Sequence, residues 1–165
     1  ELEANNWEPP SDWRRDLIID PGTQKPAILF MTIPPSHMWD EDEPYYIAYD
    51  EIYIPRMDAY QLAAMIRERH SGQFFEDFII DGMAARQKPM GFSWTIGHQY
   101  EMAFEKENLR SRHGTYFTPG DPDFLQRSQQ VHKALRMRKC GRPQIRIVTH
   151  KCPHLGRGTT GKATG

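Results

Sequence analysis

At 165 residues, with 38% hydrophobic, 26% charged and 12% aromatic side chains, the chain has the size and mixture of one globular domain around one core, against a disordered, fibrous or disulfide-stapled protein. No window reaches the roughly 18 uninterrupted apolar residues of a membrane span, and the opening residues lack a basic-then-apolar leader, so an intracellular protein with no membrane partner is expected. The net charge of -1 hides a split: residues 1–123 carry 22 acidic and 11 basic side chains, whereas residues 124–165 carry 10 basic and no acidic ones.

Residues 1–16 are polar, proline-containing and aperiodic, which reads as an arm or a linker entered from another domain. Leu17-Ile18-Ile19 is a short apolar run closed by Asp20-Pro21-Gly22, and Ala27–Ile33 is a second run ending at Pro34-Pro35, together a hairpin. Tyr45–Ile54 alternates as a third strand, stopped by Pro55. Asp58 is an N-cap with Gln61 at the capping-box position, and Leu62, Met65, Ile66 and Arg69 follow at helical spacing. Phe78-Ile79-Ile80-Asp81-Gly82 is apolar on consecutive residues, as in a strand buried on both faces, and following a helix it should pair in parallel near the middle of the sheet. A Gly/Pro/Met loop over 82–91 leads to a helix near Ile96–Asn108. A turn at Pro119–Asp123 precedes a helix near Phe124–Lys139, and Ile145–Thr149 is a last short strand before a flexible tail at 156–165.

Two strands thus end in an aspartate, and a carboxylate there is costly to bury unless it is paired or bound to a cation. Asp20 and Asp81 on adjacent strands would suit Mg²⁺ or Mn²⁺ in a two-metal phosphodiester hydrolysis; Asp-Pro-Gly and Asp-Gly are also ordinary turn sequences, and capping alone stays open. Alternation sends Asp50 and Glu51 to opposite faces, so only one can join such a site, and Glu51 is the better candidate beside an ordinary exposed strand carboxylate. Asp121 and Asp123 precede a helix and read as N-caps.

His150, Cys152 and His154, with Cys140, fit no common zinc spacing and read as strand-end residues. The two cysteines fit a reducing compartment. Residues 156–162 match a P-loop only formally, because neither the preceding strand nor the following Ser/Thr and helix is present. Met65, Tyr100 and Phe104 read as core. The basic segment, with Arg127, Lys133, Arg136, Arg138, Lys139, Arg142 and Arg146, reads as a surface that holds duplex DNA through phosphates without reading its sequence; a solvated helix face and cationic tail is the alternative.

The order of Leu17–Gly22, Tyr49-Asp50-Glu51-Ile52-Tyr53, the capped helix at Asp58–His70, Phe78–Gly82 and the basic helix before Ile145–Thr149 resembles the C-terminal nuclease domain of tailed-phage large terminase subunits. The similarity covers roughly residues 14–155, and the Asp-Pro-Gly strand also looks like the Holliday-junction resolvases of the same superfamily. The resemblance implies an α/β, ribonuclease H-like fold with a mixed central sheet, three antiparallel strands then parallel ones, flanked by helices, over residues 17–155. It implies Asp20 and Asp81 as metal-binding catalytic carboxylates with Glu51 as an auxiliary, and a metal-dependent endonuclease that cuts double-stranded DNA during viral genome packaging. Implied partners are the terminase ATPase domain, the small terminase subunit and the portal, in the host cytoplasm during phage assembly. Terminase nucleases also carry a late-helix acid, and nothing after Asp123 is acidic here. The family's ATPase motor has no room in 165 residues, so the resemblance implies an excised domain. A non-catalytic nucleic-acid-binding relative, and an actin- or sugar-kinase-like ATPase fragment suggested by Asp20-Pro21-Gly22-Thr23, are the other readings.

Overall fold

The computed structural model describes residues 7–22, 24–40, 43–121 and 123–155, so the expected tail at 156–165 and the first six residues lie outside the described residues. Strands β1 (Arg14–Asp20), β2 (Ala27–Ile33) and β3 (Tyr46–Tyr53) run antiparallel in chain order. Helix α1 (Ala59–Arg69) then carries the chain back to β4 (Asp77–Ile80), which pairs in parallel with β1. A single turn α2 (Gly82–Ala85), helix α3 (Ile96–Lys106), the two-residue strand β5 (Thr118–Pro119), helix α4 (Phe124–Leu135) and strand β6 (Ile145–Ile147) complete a six-stranded mixed sheet in the order β5-β4-β1-β2-β3-β6.

One face of the sheet holds the core. Leu17, Ile19, Ile28, Phe30, Ile52, Phe78 and Ile80 point into it and meet Leu62 and Ile66 of α1 and Tyr100 and Phe104 of α3. Each full burial of a side chain this size is worth about 1.5–3 kcal/mol, so this face supplies most of the driving force. The α1 start follows its sequence: Asp58 Oδ1 accepts from the Gln61 amide at 2.8 Å while the Gln61 side chain accepts from the Asp58 amide at 3.0 Å. Helix α3 stops short of Asn108 because that residue takes a left-handed backbone, φ 55°.

Three expectations are corrected. The boundary at residue 16 falls inside β1, and residues 7–13 are not a free arm: Trp7 and Trp13 meet edge to face at 6.1 Å against the core, and the buried Arg15 guanidinium donates to the Pro9 and Pro10 carbonyls at 2.8 and 2.9 Å. Strand β4 is not the middle of the sheet but one strand from its edge, and it is buried on one face only, with Ile79 turned to the other side. Helix α4 ends at Leu135, and the chain turns through Gly141 at φ 74° into β6.

Candidate metal centre

The register of β1 against β4 fixes the two aspartates. Ile19 pairs with Ile80, and the Asp81 amide donates to the Ile19 carbonyl at 3.1 Å, so Asp20 and Asp81 stand next to each other at the carboxyl ends of neighbouring parallel strands. Because Ile19 and Ile80 enter the core, strand alternation turns Asp20 and Asp81 to the opposite face, with Ile18 and Ile79. There they line one cavity of about 620 Å³, whose far wall is Gln130, Val131 and Ala134 of α4. Asp20 is exposed at the mouth. Its charge, after burial itself and together with Asp58, pushes the phenol of the buried Tyr100 above its ordinary range.

The residues after each aspartate explain their turn sequences. Asp81 Oδ1 accepts from the Met83 and Ala84 amides, both at 2.9 Å, and so caps α2. A Cβ at Gly82 would lie 3.1 Å from the Gly120 carbonyl and from Pro119 Cβ, and one at Gly22 would lie 3.0 Å from the Lys25 carbonyl. Both glycines are needed for close backbone approach, and the aspartates are placed by it.

Glu51 lies on the same face. It pairs with Leu29, which pairs with Ile18, and a second cavity of about 330 Å³ is lined by Glu51, His154 and Asp20. Three hydrogen bonds already hold its carboxylate: from the His154 amide at 2.6 Å, with His154 Nδ1 at 2.7 Å, and from the Leu155 amide at 3.1 Å. Asp50 takes the other face and bonds the buried His70 Nε2 at 2.9 Å. His154 is the contact that sequence reasoning missed. Its only signal was the run 150–154, read as strand-end residues, and the partner lies 103 residues away.

Two carboxylates with hard oxygens fit a Mg²⁺-type ion, which binds through one or two carboxylates and keeps several waters. Among the described residues no group of three His, Cys, Asp or Glu side chains assembles to hold a metal. Gln130 and Gln144 also line the larger cavity, and the Gln144 side chain donates to the Pro44 carbonyl at 3.2 Å. Cys152 is buried, and burial followed by the charges of Glu51 and Asp50 pushes its thiol up to about 12. Cys140 is exposed elsewhere. Asp121 and Asp123 make local bonds, to the Asp123 amide at 2.9 Å and the Gln126 amide at 3.0 Å, as caps do.

The basic residues divide. Lys133, Arg136, Lys139 and Arg142 are exposed. Arg138 and Arg146 are turned inward instead: Arg138 bonds Asp40 at 3.2 Å and Glu43 at 3.5 Å, and Arg146 bonds Asp40 and lies 3.6 Å over the Tyr45 ring. Their side chains are only 12% and 14% exposed, too little for both to lie along a phosphate backbone. The Arg127 side chain lies outside the described residues. No helix among the described residues is long and apolar enough to cross a membrane.

No family model matches the sequence, and no curated protein matches it. Among solved structures the chain is similar to the P22 large terminase nuclease domain, with a TM-score of 0.52 and 13% sequence identity. That likeness covers 86% of this chain and 64% of the other, so the chain spans less than two thirds of the length of the structure it matches. Three antiparallel strands followed by parallel ones, with helices packed on the sheet, make this an α/β fold similar to that of the P22 large terminase nuclease domain.

Proposed function

We propose that the chain is a divalent-metal-dependent endodeoxyribonuclease domain that cuts double-stranded DNA during viral genome packaging. The observation that carries this reading is the placement of Asp20 and Asp81, adjacent at parallel strand ends and opening into one cavity. Asp20 and Asp81 would hold Mg²⁺ or Mn²⁺, which would supply activation of water and neutralisation of charge on the leaving oxygen. Asp81 is kept in position by the two α2 amides, and Glu51, two strands across from β1 in register with Ile18, is an auxiliary that orients His154. Lys133, Arg136, Lys139 and Arg142 lie along duplex phosphates and set affinity without reading sequence. The terminase ATPase domain, the small subunit and the portal are the partners in this reading, and the host cytoplasm is the place.

A second reading, a nucleic-acid-binding domain without catalysis, is favoured because among the described residues no third His, Cys, Asp or Glu joins the two aspartates in a metal-holding group. Incubating the protein with plasmid DNA and Mn²⁺ or Mg²⁺, beside a chelator control, separates the two. The nuclease reading expects cleavage that Asp20→Ala and Asp81→Asn each abolish while binding persists. Binding with no cleavage under either metal would establish the second reading.

A further inference from the structure

The stretch from Gly82 to Tyr100 contains no acidic residue and carries Arg86 and Lys88, although it lies in the half of the chain that holds every Asp and Glu. It begins at the capped turn after Asp81 and projects as a loop closed at its base, where the Ile96 amide donates to the Gln87 carbonyl at 2.9 Å. A second bond, from the Phe92 amide to the Pro89 carbonyl at 3.1 Å, shapes the tip. Thr95 caps α3 through the His98 amide at 3.2 Å, and a Cβ at Gly97 would lie only 3.2 Å from Ala85, so the two arms of the loop are pressed together. The tip nonetheless holds its large apolar side chains in water: Met90 is 99%, Phe92 57% and Trp94 51% exposed. Trp94 stacks on His98 at 5.1 Å and 28°, which orients its ring without covering it.

We propose that the loop 87–96 is a stacking platform for unpaired bases of the DNA strand whose phosphate is held at Asp20 and Asp81. This rests on the nuclease reading above and specifies its substrate as DNA that is locally single-stranded beside the cut. Flat rings interleaved with cations are what a splayed strand needs, since every base has a face to stack and every nucleotide a phosphate. A protein partner could use the same apolar tip, but Arg86 and Lys88 are the only Asp, Glu, Lys or Arg side chains between Asp81 and Glu101, and two cations beside exposed rings complement a polyanion better. The loop leaves the sheet one residue after Asp81, and its Pro89 lines a cavity with Pro21 and Gly22, the residues that follow Asp20, so the loop stands beside the strand ends that carry the carboxylates.

Binding is measured in an Asp20→Ala background, where no cleavage interferes, with a labelled single strand, a forked duplex and a blunt duplex. The parent should prefer the single strand and the fork, with its Trp fluorescence quenched on binding. Phe92→Ala and Trp94→Ala should each weaken those two by about tenfold, a common size for loss of one base–aromatic stack, and weaken the blunt duplex less. Trp94→Tyr should keep most of the affinity, because the ring and not the indole nitrogen does the stacking. If the parent binds forked DNA and both alanine variants bind it equally well, the platform is overturned and the loop is a protein-docking surface. If metal-dependent cleavage is intact in the same variants of the wild-type background, that failure leaves the nuclease reading standing. A parent that neither binds nor cuts DNA overturns both.

Discussion

The two faces of the sheet are built to different densities. One is covered by α1 and α3 and closes over Phe30, Phe78 and Phe104, all at or below 1% exposure. The other bears cavities of about 620 and 330 Å³ and lies under α4, none of whose described side chains is buried. Both candidate aspartates, and Glu51, are on the open face. The difference teaches that one face supplies the stability which lets the other keep the cavities that the aspartates line. Truncation should therefore be severe on one side and mild on the other. Phe78→Ala and Phe104→Ala should each cost about 3–5 kcal/mol in denaturant unfolding. Val131→Ala and Leu135→Ala, on the half-exposed α4, should cost within about 0.5 kcal/mol. Equal losses on both faces would mean that α4 closes down on the sheet in solution.

The basic segment offers a second contrast, between cations that build the fold and cations left for a partner. Arg146→Ala removes a guanidinium that bonds Asp40 and covers Tyr45, leaving Asp40 paired with Arg138, so a loss of about 1.5 kcal/mol is expected in thermal or denaturant melts. Lys139→Ala should leave stability unchanged. On duplex DNA the order reverses: Lys139→Ala should lower the slope of log K against log salt by about one, whereas Arg146→Ala should leave the slope as it was. A slope that responds to Arg146 and not to Lys139 would show that the Asp40 cluster opens on binding.

Asp81 stands on both sides of the comparison, as a cap and as a candidate ligand, and two substitutions pull the roles apart. Asparagine keeps an acceptor oxygen for the Met83 and Ala84 amides, so Asp81→Asn should melt close to the parent, while Asp81→Ala should lose about 1 kcal/mol. If Asp81 only caps, cleavage survives in the asparagine variant. If it also holds metal, both variants lose cleavage together, and activity no longer follows stability.

What the sequence made legible was local. The apolar-then-aspartate endings at 17–20 and 78–81, the hairpin and the Asp58–Gln61 capping box all depend on residues a few positions apart. What it concealed was distant or disguised. The bonds from Arg138 and Arg146 to Asp40 span 98 and 106 residues, so a charge census read internal ion pairs as free cations. The first sixteen residues look like a linker because prolines and carboxylates dominate them, yet two tryptophans among them reach the core. Consecutive isoleucines at 79 and 80 suggested burial on both faces, whereas the cavity needs an apolar floor as much as the core needs a wall.

The smallest effect concerns Cys152, which sits beneath the open face against Met31 and Ala48 and is inaccessible despite the cavities beside it. Burial comes first, and the charges of Glu51 and Asp50 add to it, raising the thiol to about 12 from an unfolded value near 8.5. A thiol whose folded value is raised favours the fold fully while it is protonated in both states. That contribution is therefore present below about pH 8.5 and is lost as pH climbs towards the folded value. Alkaline unfolding of the parent should begin in that window, and Cys152→Ala should flatten it while changing little at neutral pH. At pH 8, a thiol reagent should modify the exposed Cys140 rapidly and leave Cys152 untouched until the protein unfolds. Labelling of both at the same rate would show that the turn at 153–155, tied down by Glu51, lifts away from β3 and exposes the face it covers.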